Sequence, residues 1–432
     1  MDNTKLIQFT GATRDISAAE ITARTNGAGD RYISYVDKEA ADKAYDGIRS
    51  KLKNWMLADN LVVLCGAGAS ITTGLSGKNL DDKELKYTGK TVGHIWSECK
   101  KKIDAADVAK LQTILKEEDE DFQLERFISK LDTFVSANQH STDASLIDTV
   151  AKCVEVKATI IEILKAECGL VLHETAPHEK FLRNILTSRK RSQKRMQLYT
   201  LNYDTLFEQA AQEINATIID GFSFNRTPTF NGSNYDLDVV KREHHRVHHE
   251  ENYEEKVFQL FKLHGSLDWR ELKDEEGADE DTRVIRVQDI DAPGTTVFIP
   301  PSAQKYEQSY AMPYFEMMSR FQQTMRREST VLLVVGYSFS DAHINRVILE
   351  ALASNLNFEI VVVSPGVGAS NQIGVPKLLQ EKIAKKRTGI TLISDTFQGF
   401  VEAMPILATD LDNENSEENP VVSKDPEPKI GG

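Results

Sequence analysis

No apolar run in this chain of 432 residues approaches the ~20 residues that a membrane-spanning helix requires. Residues 1–15 (MDNTKLIQFTGATRD) carry no apolar core of the signal-peptide type, so the expectation is an intracellular, cytoplasmic protein. Cysteine is scarce. The four residues, Cys65, Cys99, Cys153 and Cys168, contain no C-x-x-C pair, which argues against zinc ribbons and redox dithiols. Cys65, Cys153 and Cys168 fall in apolar or amphipathic stretches and read as buried thiols, which suits a reducing compartment. Positive charge is in deficit, with 52 Lys and Arg against 66 Asp and Glu, a net charge of -14. Such a surface repels phosphate backbones, so direct nucleic-acid binding is not expected. The one dense basic run, 189–195 (RKRSQKR), reads as a solvated turn before a strand. There is no internal repeat.

What the chain does contain is a series of short, continuous apolar runs. They lie at 61–65 (LVVLC), 196–200, 216–220, 331–335, 358–363 and 389–394. Continuous apolarity over five or six residues is the mark of strands buried on both faces. Helical periodicity at 204–214, 341–356, 375–386 and 396–407 separates most of them, and another helix is expected over 40–57. Strand alternating with helix predicts an α/β fold with a doubly wound, parallel, Rossmann-like sheet. A helical insertion is expected at about 80–190, with one apolar stripe through Phe122, Leu124, Phe127, Ile128, Leu131 and Phe134. A second runs through Leu146, Val150, Val154, Ile160, Ile163 and Leu164. A loop-rich excursion at about 222–300 contains strand-like pieces at 257–263 and 284–287. Domain limits follow: a polar N-terminal arm over 1–38, fit to pack on another subunit, a catalytic domain over 39–407, and an acidic tail over 408–432 expected to be disordered.

Four motifs sit at predicted strand ends. Gly66-Ala-Gly-Ala-Ser70 follows the first strand, where glycine permits a sharp turn and close approach to a pyrophosphate. Thr200-Leu-Asn-Tyr-Asp204 ends the second. Asp204 is placed to cap the next helix, and the Asn202 carboxamide to orient a ribose hydroxyl or a water without carrying charge. Leu263-His-Gly-Ser266 offers His264 as a base, although a lone histidine more often has a structural role. Gly336-Tyr-Ser-Phe-Ser-Asp341 repeats strand, glycine turn, hydroxyls and helix. Asp341 is a cap there, and Ser338 and Ser340 are candidate donors to phosphate or ribose. Ser364-Pro-Gly366 is a weaker fifth element, where adenine or its ribose could lie.

The order G-A-G-x-S, T-x-N-x-D, L-H-G, G-x-S resembles the sirtuin family, over roughly residues 40–400. The resemblance implies a sheet that binds NAD. Gly66, Ala67, Gly68, Ser70 and Thr73 would contact the cofactor at the pyrophosphate loop. Asn202 and Asp204 would lie beside the nicotinamide ribose, His264 would be the general base, and Gly336, Ser338 and Ser364 would lie on the phosphate and adenosine side. Deacylating sirtuins carry four zinc cysteines in the interval corresponding to 204–331, and this chain has none there. Where they read G-I-P-D-F-R, it reads Gly74-Leu-Ser-Gly-Lys-Asn79. The expectation is therefore a sirtuin-like sheet without a zinc module or any other metal.

The remaining pattern is similar to bacterial sirtuin-like effectors of anti-phage defence, which hydrolyse NAD to ADP-ribose and nicotinamide in abortive infection. That similarity implies an NAD glycohydrolase assembled as a homo-oligomer and paired with a hexameric HerA-type ATPase. The alternatives are a divergent deacylase or ADP-ribosyltransferase, or a non-catalytic sensor of NAD or ADP-ribose. Three other features read as structural. The histidines of 241–255, at 244, 245, 248 and 249, suit a solvated segment better than a metal site. The run 116–121 (KEEDED) reads as a helix boundary in water, and Trp55, Trp96 and Trp269 as core or interface residues, with Trp269 also placed to line the cleft.

Overall fold

The computed structural model describes residues 5–7, 21–25, 31–34, 50–71, 77–78, 84–117, 124–191, 193–241, 253–273, 282–290, 292, 295–298, 313–368, 371–385 and 387–405. Its apolar runs become a seven-stranded sheet in which every neighbouring pair is parallel. In chain order the strands are β1 (Asn60–Cys65), β2 (Met196–Thr200), β3 (Thr217–Ile219), β4 (Val257–Lys262), β5 (Thr330–Val335), β6 (Glu359–Val363) and β7 (Ile390–Ile393). Their spatial order is β7-β6-β5-β1-β2-β4-β3. The chain winds outward from β1 on one side and from β5 on the other, so the switch point lies between these two neighbours. In open α/β sheets, ligands bind outside the carboxyl ends of the strands at such a point.

Six of the seven strands match the sequence expectation, and one differs. The piece at 257–263 is not part of a peripheral excursion. As β4 it inserts between β2 and β3, pairing Leu198 with Leu260 and Phe258 with Ile218. Its apolar run is as continuous as the others, but β3 precedes it in the chain and lies outside it in the sheet. Only pairing reveals that order. Beyond β4, Gly265–Lys273 turns away into a separate antiparallel sheet with Thr282–Arg286 and Thr295–Phe298.

Both faces of the main sheet are covered, as its lack of polar alternation requires. Val62, Leu64, Tyr199, Leu332, Val334 and Val362 face helices Tyr314–Met325, Ala342–Ser354 and Gly374–Ala384. Val63, Cys65, Leu198, Leu333, Val335 and Val363 face Pro177–Ser188, Leu206–Glu213 and Phe397–Ala403. The predicted insertion is helical, formed by Val92–Lys102, Ala105–Leu115, Leu124–Asn138 and Ala144–Cys168 around its own core. In the last of these the buried stripe is Thr149, Cys153, Val156, Ile160, Ile163 and Leu164. Val154, expected inside, is 52% exposed. The predicted stripe slipped in phase at its start, because both faces of this helix carry apolar residues.

Strands Lys5–Ile7, Ile21–Thr25 and Arg31–Ser34 of the N-terminal arm pair into an antiparallel meander. The run 189–195 is a turn, yet its three arginines are bonded internally. The Arg189 guanidinium is buried and donates to the carbonyls of Met56, Ala58, Asp59 and Lys194. Arg191 pairs with Glu255, and Arg195 with Asp238. Glu117, expected in water, is buried between Arg126 and Lys130. Of the cysteines, Cys65, Cys99 and Cys153 are buried, whereas Cys168 is only half-buried. The three tryptophans are buried, and Trp269 packs against Phe222 and Phe230 in the core. Thr73, Phe122, the histidine-rich 242–250 and the tail lie outside the described residues. Among the described residues no helix is long and apolar enough to cross a membrane, and no group of His, Cys, Asp and Glu has metal-binding geometry.

His178 supplies a test of how this core titrates. It is fully buried against the edges of Phe207 and Phe397, and neither ring nitrogen has a hydrogen-bond partner. Burial pushes its pKa down to about 4 from the ordinary 6.5, against a small opposing pull from Asp204. Between those values the unfolded chain takes up a proton that the folded chain refuses. Stability is therefore fully present above pH 6.5 and is lost as pH falls toward 4, by about 3 kcal/mol at one pKa unit per 1.36 kcal/mol. Thermal melts of His178→Leu are expected to lose this part of the acid dependence. A variant as acid-sensitive as the parent would refute the assignment.

Candidate active site at the carboxyl edge of the sheet

Register brings the motifs together. Ile393, Val363, Val335, Cys65, Thr200 and Lys262 are aligned as neighbours across six strands. The residues just after them therefore emerge along one edge: Ser364 after β6, Gly336 after β5, Gly66 after β1, Leu201 and Asn202 after β2, and Leu263 and His264 after β4. Four motifs separated by up to 270 positions in sequence become one row.

The two glycine turns meet at the switch point. Gly66 N donates to Val335 O at 3.0 Å and Gly68 N to Gly336 O at 2.9 Å. A β-carbon on Gly68 would lie 2.7 Å from Gly336 Cα, and one on Gly66 would lie 2.7 Å from Tyr337 Cα. Residues Ala67–Ala69 form a single 3-10 turn, closed by Ala69 N on Gly66 O and Ser70 N on Ala67 O. The glycines are thus required by backbone-to-backbone packing of the two loops. The amides of Gly68, Ala69 and Ser70, in the loop expected to contact a pyrophosphate, bond within the loops here.

Asn202 and Asp204 close onto this turn. Asn202 Nδ2 donates to Gly66 O at 3.0 Å and to Ser70 Oγ at 2.7 Å. Because Gly66 O can only accept, the amide nitrogen must occupy that side, and the acceptor Oδ1 is directed the other way. No described residue donates to Oδ1. Ser70 Oγ donates in turn to Asp204 Oδ2 at 2.6 Å, while Asp204 Oδ1 accepts from Leu206 N at 3.1 Å. Asp204 is thus not the N-cap expected from the sequence, a position held by Thr205; it accepts from the first helical amide one residue ahead of the cap, and through Ser70 it also orients Asn202. Both its carboxylate oxygens are engaged, and it is buried.

His264 is held by a second network. Its Nε2 lies 3.2 Å from Asp341 Oδ2, and both side chains are buried. Asp341 Oδ1 accepts from His343 N and Ile344 N, capping helix Ala342–Ser354. Burial alone would raise the Asp341 carboxyl, but the His264 contact and these two amides hold it below the usual carboxylate range. An ionised Asp341 accepts the Nε2 proton, so the lone pair of His264 is on Nδ1. Tyr337, whose hydroxyl donates to Asn345 Oδ1 and accepts from Asp341 N, joins this network to the glycine turns. The rings of Tyr203 and His264 lie 6.4 Å apart, but no hydrogen bond joins Asn202 to His264 directly.

The adenosine-side candidates are more dispersed. Ser338 is exposed, with its Oγ on Ser340 Oγ at 3.1 Å. Ser364 is half-buried, and its amide donates to Ile393 O. Two features lie outside the sequence expectations: Lys262 and Glu208, a buried pair behind the Asn202 loop, and the contact of Asp341 with His264. The signal for Lys262 was present: a lysine ending the apolar run VFQLFK is out of place in a buried strand.

A parallel, doubly wound α/β sheet with a polar site at its switch point defines a class of proteins that bind ligands at the carboxyl edge of the strands. Residues 197–382 match the family model of the SIR2-like domain. That match spans β2 to helix Gly374–Ala384 and includes Asn202, His264 and Gly336. It supports a sirtuin-like family and, in the broad sense, NAD-related chemistry. No curated protein matches the chain.

Proposed function

We propose that the protein is an NAD glycohydrolase that transfers the ADP-ribosyl group of NAD to water. The C1′–N bond to nicotinamide breaks, a C1′–O bond to water forms, and the products are nicotinamide, ADP-ribose and a proton. The observation that carries this reading is the pairing of an oriented carboxamide acceptor, Asn202 Oδ1, with a carboxylate-backed imidazole, His264, along one sheet edge. Asn202 holds the water or a ribose hydroxyl as acceptor. His264 Nδ1 takes the proton, and Asp341 stabilises the resulting imidazolium through Nε2–H. Binding alone needs neither a base nor its carboxylate, which sets the sensor reading lower.

The absence of cysteine between 204 and 331 removes the zinc-held wall of a deacylase groove, which favours water over an acyl-lysine amide. We extend the proposal to biology: an NAD-depleting effector of anti-phage defence, kept silent until a homo-oligomer or a HerA-type ATPase partner activates it. The test is incubation with NAD, with and without an acetylated peptide and the partner, following free nicotinamide and ADP-ribose. Peptide-independent release of both products is expected. Release that requires the peptide would indicate a deacylase, and retained turnover in both Asn202→Ala and His264→Ala would overturn the reading.

Asp341→Asn separates the proton relay from the fold. Asparagine is as good a helix cap, so its oxygen stays on the amides of His343 and Ile344. Its NH2 then faces His264 Nε2 and forces the other tautomer, with the proton on Nδ1. Turnover should fall by roughly 10²–10⁴-fold, the usual contribution of a general base, with the melting temperature little changed.

A further inference from the structure

We infer that Lys262 is a positioning residue that locks the Asn202 loop to the strand carrying His264. The inference rests on the reading that these two residues act on one substrate. Lys262 is the last residue of β4, two positions before His264, and its side chain is 3% exposed. Its ammonium donates to the backbone carbonyls of Tyr203, at 3.5 Å, and Asp204, the two residues following the tyrosine's neighbour Asn202 in the loop. A third bond goes to Glu208 Oε1 at 2.9 Å, on the first turn of helix Leu206–Glu213.

One cation thus ties together the loop, the helix that the loop opens and the strand end that presents His264. Two backbone bonds run alongside it, Leu263 N to Thr200 O at 3.0 Å and Leu267 N to Tyr203 O at 3.1 Å. The first fixes strand spacing and the second also holds the Tyr203 carbonyl, but among the described residues only Lys262 bonds the carbonyls of both Tyr203 and Asp204. Burial works against its charge, but Glu208, Asp268 and Asp204 hold its pKa above the ordinary lysine value. Packing by itself would be served as well by methionine, because a buried ion pair rarely adds stability over an apolar substitute of the same size. What methionine lacks is a donor for the loop carbonyls.

The experiment uses the full chain with Lys262→Met and with the double variant Lys262→Met/Glu208→Gln, which leaves no unpaired carboxylate at this position. The double variant should recover most of the stability lost by the single one. In it, amide hydrogen exchange across 200–206 is expected to rise by about 10-fold relative to the other strand ends. Where the chain turns over NAD, kcat should drop by about 100-fold with KM nearly unchanged, as a misplaced reacting group requires. Loop exchange like that of the parent in the double variant would overturn the inference, as would full turnover with the loop loosened. Turnover surviving in Asn202→Ala would instead sink the NAD reading, an outcome seen in a different assay from the exchange result.

Discussion

Replacing Asn202 with alanine is expected to lower nicotinamide release by roughly 10²–10³-fold, the effect of removing one preorganised polar group from a reacting centre. The size follows from how firmly this carboxamide is set. Nδ2 has two acceptors, Gly66 O and Ser70 Oγ, and Ser70 is in turn fixed by Asp204. Oδ1 therefore cannot exchange places with Nδ2 without setting two acceptors against each other at about 3 Å. Alanine removes the oriented oxygen together with both bonds to the glycine turn. At about 1 kcal/mol for each net hydrogen bond, stability should fall by about 2 kcal/mol, well short of unfolding an ordinary domain. The two effects are separable by single-turnover NAD cleavage and thermal melting of the same sample. Asn202→Asp sharpens the test. It retains the acceptor but brings a carboxylate oxygen against Gly66 O, so it should be less stable than the alanine variant and no more active. Turnover near that of the parent in Asn202→Asp would show that Oδ1 alone, without the anchoring amide, is sufficient.

Gly336→Ala is expected to be among the most damaging single substitutions in the chain. Gly336 sits at φ +60, where a β-carbon costs about 1–2 kcal/mol. The added methyl would also lie 2.5 Å from Ala69 N and from the Gly68 carbonyl carbon, both backbone atoms of the facing turn. Neither can move without breaking the Gly68 N to Gly336 O bond or displacing the turn on which Asn202 rests. Overpacking of this kind costs a further 1–3 kcal/mol or so, giving a loss of about 2–5 kcal/mol in all. Denaturant unfolding measures it directly. Ser338→Ala, two positions away on the exposed side of the same loop, should be almost silent in that measurement. A Gly336→Ala protein as stable as the parent would mean that the two glycine turns do not pack as described.

Most of the sheet was legible because parallel strands buried on both faces leave an unmistakable trace, short unbroken apolar runs such as LVVLC and VLLVV. The cap at Asp341 was legible for a similar local reason, since it bonds amides two and three residues away, whereas Asp204 lies one residue ahead of the cap Thr205. The phase of helix Ala144–Cys168 was not, because apolar residues such as Ile147 and Val154 also occupy its outer face. The burial of Arg189 and Glu117 was not either. Each is a charged residue in a charged run, and its partners, the Met56 and Ala58 carbonyls or Arg126 and Lys130, lie elsewhere in the chain.

The sequence by itself determined the fold class, the four turns at strand ends and the residue types that could orient a ribose or accept a proton. These depend on periodicity and local backbone chemistry, which act over a few residues. Tertiary structure alone decided that β4 lies inside β3, that Gly66 and Gly68 are glycines because Gly336 and Tyr337 press against them, and that Asp341 serves His264 as well as its own helix. Each of these is a contact between segments that strand register brings side by side. Register is set by the whole sheet and not by any single strand.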